Sequence, residues 1–310
     1  MSQGAERLVH IVDEVPELDG VRPVLLVALD GFLDAGNVSA LAVAHLTGVD
    51  PGRVVASFEV DELHDYRARR PAMTFHESRY TDYDAPRLAV RLLRDADAIP
   101  YLLLSGPEPD IRWEAFGRAV REVVEAFDVR LVMSMGSVPM AVPHTRPIQL
   151  TNHANSERLL TQENIWGGEI RIPASAQALL EIRLGEWGHD AAGFVAHVPH
   201  YVAQVDYPAA ASRLLEAVGG SAGLRWQLAG LDDAAAERAH EIADQVGESP
   251  EVQEVVTGLE QQYDAFHQAA GRGLLADDRP LPSGDELGAQ FEEFLAGLDG
   301  TDEGPGGEGR

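Results

Sequence analysis

Apolar residues along the chain fall into short unbroken runs and helical stripes that alternate. Val24 to Leu29 is a continuous apolar run, the pattern of a strand buried on both faces of a sheet. Asp30-Gly31 ends the run, and Ala35-Gly36-Asn37 supplies residues that tolerate tight or left-handed backbone. From Val38 the pattern turns helical, with Leu41, Ala42, His45 and Leu46 on one face. The unit is strand, loop, helix, and its loop lies at the carboxyl end of a central strand, where open α/β sheets place ligands.

The same alternation continues on both sides. Leu8 to Val12 predicts an edge strand and Arg53 to Val60 another strand. Arg87 to Leu93 and Ile99 to Leu104 predict a hairpin turning at Arg94 to Asp97. Asp110 is a candidate N-cap for a helix over Ile111 to Phe127, which buries Ala115, Ala119, Val123 and Phe127. Val129 to Met135 returns as a strand, with Gly136-Ser137 in the loop behind it, and Ile148 to Leu150 is a short strand ending in Thr151-Asn152-His153. Pro173 predicts a helix start, with Ala176, Leu179, Leu180 and Leu184 as its buried stripe. Ala192 to Val198 is the next strand, and Pro208 to Val218 a helix closed by Gly219-Gly220.

A boundary is expected between Gly223 and Gly230. It separates an α/β body over 1–225 from a helical region over 226–298. That region predicts a helix pair over Asp232 to Val246 and Glu251 to Ala270, then an amphipathic helix over Gly284 to Leu298. Residues 299–310 are polar and glycine-rich, the composition of a disordered acidic tail.

Charge narrows the function. A net charge of −27 argues against nucleic acid and anionic membrane as partners, since both need basic surface. Residues 231–310 hold 20 Asp and Glu against 4 Arg, an excess that would suit a basic surface on the body or on a partner. All 24 basic residues are arginine, which removes Schiff-base, P-loop and Ser-Lys chemistry. The chain has no cysteine, in keeping with a reducing cytoplasm. No apolar run is long enough to span a membrane, and MSQGAERLVHIVDE lacks the pattern of a signal peptide.

Several polar loops follow predicted strands and form a candidate pocket: Asp30, Gly31 and Asn37; Glu108 and Asp110; Gly136 and Ser137; Asn152 and His153. His144 and Arg146 flank a proline turn and are added as candidates for holding an anion, although a turn braced by hydrogen bonds is favoured. Ser137 lacks the Gly-x-Ser-x-Gly elbow of a hydrolase nucleophile, so a structural role in a turn is favoured. His197 and His200 have HxxH spacing, but the proline between them prevents the regular helix of a zincin motif. No catalytic residue, metal or cofactor is expected. Arg67, Arg69 and Arg70 form a basic knot in an acidic chain and are candidates for an interaction surface.

The segments LDGFLDAGNVS, DYRARRP, LLLSGPEPDIRW, GSVPMAVPHTRP and HVPHYVAQVDYPAAA, with LPSGDELGAQFEEFL near the end, occur here in that order. As a set they resemble the actinobacterial branch of the proteasome assembly chaperone two family, over roughly residues 8 to 297. The resemblance implies a three-layer α/β/α fold with a mixed central sheet, like that of the phosphorylase/hydrolase group, and a helical C-terminal segment. It also implies a homo-oligomer and a protein partner related to the proteasome. Archaeal relatives that dock on the proteasome end in a hydrophobic-tyrosine-x motif. This chain ends Gly307-Glu308-Gly309-Arg310, so docking by tail insertion is not expected. The expected function is that of a non-enzymatic, cytoplasmic, self-associating protein that works through its surfaces. The alternative is a small-molecule binder or enzyme related to nucleoside phosphorylases or hydrolases, using the carboxyl-end loops.

Overall fold

A computed structural model describes residues 7–31, 33–162, 164 and 169–272. The predicted helix over Gly284 to Leu298 and the tail lie outside the described residues. Described residues through Asn164 and from Ala174 to Asp264 make one compact unit. A second unit takes in 165–173 and 265–310, and of it residues 169–173 lack regular structure and 265–272 continue a helix.

In chain order the elements are β1 (Val9–Ile11), β2 (Val24–Asp30), α1 (Val38–Val49), β3 (Arg53–Phe58), β4 (Thr74–His76), β5 (Arg79–Thr81), β6 (Ala89–Arg94) and β7 (Pro100–Pro107). They continue with α2 (Trp113–Ala126), β8 (Leu131–Met140), β9 (Leu150–Ala154), α3 (Ala176–Glu186), β10 (Ala191–Pro199), α4 (Pro208–Ala222), α5 (Ala229–Gly247) and α6 (Pro250–Arg272). Eight strands form one mixed sheet in the order β1-β3-β6-β7-β2-β8-β10-β9, while β4 and β5 pair only with each other. The central four, β7, β2, β8 and β10, are parallel, and the flanking strands are antiparallel to their neighbours.

The unbroken apolar run of β2 is explained by its two faces. Val24, Leu26 and Ala28 join a core with Val38, Ala42 and Leu46 of α1 and Leu214, Leu215 and Val218 of α4. Leu25, Val27 and Leu29 point the other way, into a core with Phe116, Val120 and Val123 of α2 and Leu180 and Leu184 of α3. Period-two alternation in the strand thus supplies both cores of a three-layer α/β/α fold, as expected. Leu231 and Ile242 of α5 extend the first core beyond α4, so the acidic helical region begins as part of the packed unit.

Several boundaries move, each for a physical reason. Strand β8 runs through Gly136 and Ser137 to Met140, because β10 pairs with it along that whole length. Asn152 and His153 lie inside β9, opposite Phe194 and Gly193, and not in a loop after a strand. Arg112 holds the N-cap position of α2, while the Asp110 carboxylate is engaged elsewhere. Ser175 caps α3, its hydroxyl accepting the Ala178 N–H at 3.0 Å, so Pro173 stands before the helix. Helix α4 continues through Gly219-Gly220 and stops at Gly223, whose left-handed backbone (φ 66°) ends it.

A candidate interaction site at the carboxyl rim

Strand β3 is parallel to the central four, since β6 reverses between β3 and β7. Its exit therefore opens on the carboxyl rim, and the chain leaves the sheet there from Glu59 to Leu88 before re-entering as β6. The insertion folds as the β4–β5 hairpin, which takes no hydrogen bond from the main sheet. Its two-residue turn is Glu77-Ser78, with Glu77 at φ 54°. Phe75 and Tyr80 face each other across it, ring centroids 5.0 Å apart. Met73, Phe75, Tyr80 and Tyr83 are 52%, 60%, 72% and 50% exposed. Four large, mostly exposed side chains thus lie on or beside one hairpin arm.

Arg69 fastens the start of the arm to the rim. Its guanidinium pairs with Asp110 at 2.8 Å and donates to the Glu108 carbonyl. It also reaches the Asp30 carbonyl at 3.4 Å. Asp110 in turn accepts the Asp65 N–H at 2.7 Å and lies 3.5 Å from His64 Nδ1. Desolvation would raise the Asp110 pKa, but the Asp65 N–H and the Arg69 charge outweigh it and hold the carboxyl below its ordinary value. Glu108 is buried, accepting the Ala176 N–H at the start of α3 at 2.6 Å. Gly31 leaves room for that carboxylate, since a Cβ there would stand 2.9 Å from Glu108 Oε2. Asp30 sits at the end of β2, where partial desolvation of its carboxyl and the Asp34 charge raise its pKa against the opposing Arg69.

Asp30, Gly31, Glu108 and Asp110 therefore gather around Arg69, and the other candidates do not join them. Ser137 Oγ lies 2.8 Å from Asp34 Oδ1 and 2.9 Å from the Ala35 carbonyl, while Asp34 also accepts the Ser39 and Ala40 N–H groups. Asn37, left-handed at φ 52°, donates to Asp206 at 2.7 Å. These bonds fix the entry to α1. His144 bonds Tyr201 through its Nδ1 at 2.7 Å and its N–H at 2.8 Å. Burial lowers the His144 pKa and pushes that of Tyr201 up to about 12. His153 pairs with Glu181 of α3 at 2.8 Å. Gly136 lies within β8, where a Cβ would meet only the Val195 side chain, at 3.9 Å. Among the described residues no three His, Asp or Glu side chains converge as metal ligands. A cavity of about 640 Å³ opens at the opposite, amino edge, between Val12–Arg22 and Ala126–Asp128, and no candidate residue lines it.

The contact between the acidic helix and the body runs through a different arginine. Arg146 takes both oxygens of Asp264 on α6, at 2.8 and 2.7 Å, and Glu260 at 3.2 Å. Thr145 donates to Glu260 and Tyr263 to the Pro147 carbonyl at 3.0 Å. Arg146→Met should leave global stability nearly unchanged, because both partners are partly solvated. The expected effect is local: faster amide exchange over 250–264, reproduced in the wild type as salt approaches 1 M. Unchanged exchange in the variant would show that apolar contacts alone hold α6.

His197 is buried, its Nε2 2.8 Å from Thr151 Oγ1, and desolvation lowers its pKa to about 4. The unfolded chain binds this proton near pH 6.5, so the stabilisation is complete above that pH and is lost as pH falls toward 4. The loss amounts to roughly 3 kcal/mol. Urea midpoints at pH 7.5 and 4.5 should separate more in the wild type than in His197→Gln; equal separations would remove His197 from the acid response.

The geometry defines a three-layer α/β/α protein carrying an apolar arm on its carboxyl rim. Residues 28–246 match the PAC2 family, and the chain belongs to it. A Mycobacterium tuberculosis protein of unknown function is 47% identical, with a TM-score of 0.82 over 88% of this chain and 94% of its own. A Corynebacterium glutamicum protein of unknown function is 39% identical, with a TM-score of 0.79 over 84% and 98%. A second Mycobacterium tuberculosis protein, a proteasome-assembly chaperone homologue, is 26% identical, with a TM-score of 0.69 over 75% and 99%. No curated protein matches the chain. No helix among the described residues is long and apolar enough to cross a membrane.

The arm is what the sequence reading missed. Its signal was Thr74-Phe75-His76 and Arg79-Tyr80-Thr81, two aromatic-centred triplets about a two-residue turn. Without Gly or Asn at Glu77, the usual turn marker was absent.

Proposed function

We propose that this PAC2 protein is a non-enzymatic, cytoplasmic assembly factor that associates with itself and acts on proteasome-related proteins through its surfaces. The observation that carries this reading is the β4–β5 arm. A two-stranded hairpin is at best marginally stable alone in water. One that leaves Met73, Phe75, Tyr80 and Tyr83 exposed gains most when another protein surface covers it. The polar groups gathered around Arg69 bond one another and tie the chain leading into the arm to the rim. The 26% identical relative described as a proteasome-assembly chaperone homologue supports the choice of partner. In this reading the α/β body, residues 1–225, is the scaffold, and the acidic helical region beyond it is an adaptor.

The test mixes the purified protein with separated α- and β-type proteasome subunits of an actinobacterium and follows core-particle formation on native gels. Faster assembly, or co-migration with a half-assembled species, is expected. An unchanged time course with no co-migration would contradict the proposed partner.

A further inference from the structure

Strand β9 is an edge of the eight-stranded sheet, and three of its outer backbone groups are bonded by side chains of the same chain. Asn152 donates its N–H to Asn164 Oδ1 at 2.8 Å, and Asn164 Nδ2 donates back to the Asn152 carbonyl at 2.8 Å. Two residues earlier, Gln162 Nε2 donates to the Leu150 carbonyl at 2.9 Å. One carboxamide thus makes the reciprocal pair of bonds that a residue of an antiparallel strand would make, and a second amide continues it at the strand's two-residue repeat. The Asn152 side chain anchors the cover, accepting the Thr161 N–H at 2.8 Å while its amide donates to the Gly193 carbonyl at 3.0 Å.

We propose that Gln162 and Asn164 stand in for a ninth strand and keep the β9 edge closed to pairing with the β9 edge of a second copy. Open sheet edges are templates for strand addition, and proteins block them in specific ways. The competitor is a second copy because antiparallel pairing about a two-fold axis through Asn152 is self-complementary: Asn152 of each copy would give the other the two bonds that Asn164 now makes. Gln162 is half-buried and Asn164 exposed, so neither is held by core packing and removing them leaves both cores intact.

The test compares the full chain with Gln162→Ala/Asn164→Ala by amide exchange and sedimentation over a range of concentrations. In dilute solution the Asn152 N–H of the variant should exchange roughly tenfold faster, reflecting the lost bond. As concentration rises, the variant's mass should exceed that of the wild type and Asn152 should regain protection. Asn164→Asp keeps the acceptor for the Asn152 N–H and loses the donor to its carbonyl, so it should retain most of that protection when dilute. Unchanged exchange at Asn152, a mass equal to the wild type at every concentration, or added mass without renewed protection at Asn152 would each overturn the proposal.

Discussion

Replacing Phe75 and Tyr80 together by serine is expected to reduce the assembled protein to a protomer of 33.5 kDa while leaving the sheet intact. Neither ring touches the two cores, which are built from the main sheet and its helices. Both rings are mostly exposed and contact each other across the arm, their planes tilted by 56°. Central aromatic anchors at interfaces cost about 2 kcal/mol or more when truncated. Two of them together weaken association by roughly three orders of magnitude, enough to dissociate a micromolar assembly. Sedimentation velocity beside circular dichroism checks both halves of the expectation. A wild-type mass in the variant would place the interface elsewhere on the body.

Gly106→Ala is expected to destabilise the fold by about 3 kcal/mol or more, through backbone strain and a clash. Gly106 lies in β7 opposite Leu29, at φ 127°, a conformation that side chains other than glycine rarely adopt. A Cβ there would stand 2.0 Å from the Arg87 carbonyl and 2.9 Å from Leu88 Cα. Those two residues are the return leg of the insertion, so the glycine lets the chain cross the rim close against β7 as it comes back to the sheet. Gly48 near the end of α1 is the contrast, with nothing within 4 Å of the same added atom. Gly48→Ala should be neutral or stabilising by up to about 1 kcal/mol. Urea denaturation of the two variants gives the comparison; similar midpoints would mean that the crossing relaxes freely.

The layers of the fold were legible because burial on both faces leaves an unmistakable run in β2, and the helices that cover it carry regular stripes. Helix α2 is one such case: of its expected stripe Ala119, Val123 and Phe127 are buried and Ala115 partly so, while Phe116 and Val120, outside that stripe, fill the core beside them. The rim was legible only in part. Asp30, Gly31, Glu108 and Asp110 were found as polar residues after strands, and they do come together. The parallel pairing of β2 with β7 sets Asp30 beside Glu108, and Arg69, 39 positions from each, ties the cluster together, a tie that no local pattern encodes. The sequence pattern places Ser137, Asn152 and His153 in polar loops behind strands, because carboxyl-end loops collect polar residues. Each is in fact a strand residue whose side chain reaches a bond across the sheet or beyond it, to Asp34, Gly193 and Glu181. The acidic excess is plain in the composition, but among the described residues its ion pairs with the body go to Arg146, from the proline turn, and Asp232 bonds Ser212 of α4.

The central claim is that this protein works by association through its own surfaces, beginning with itself. The most direct measurement is the mass of the full chain by light scattering from submicromolar to tens of micromolar concentration. The account predicts a defined multiple of 33.5 kDa at micromolar concentration, dissociating on dilution. A single-protomer mass across the whole range, in folded material, would contradict it.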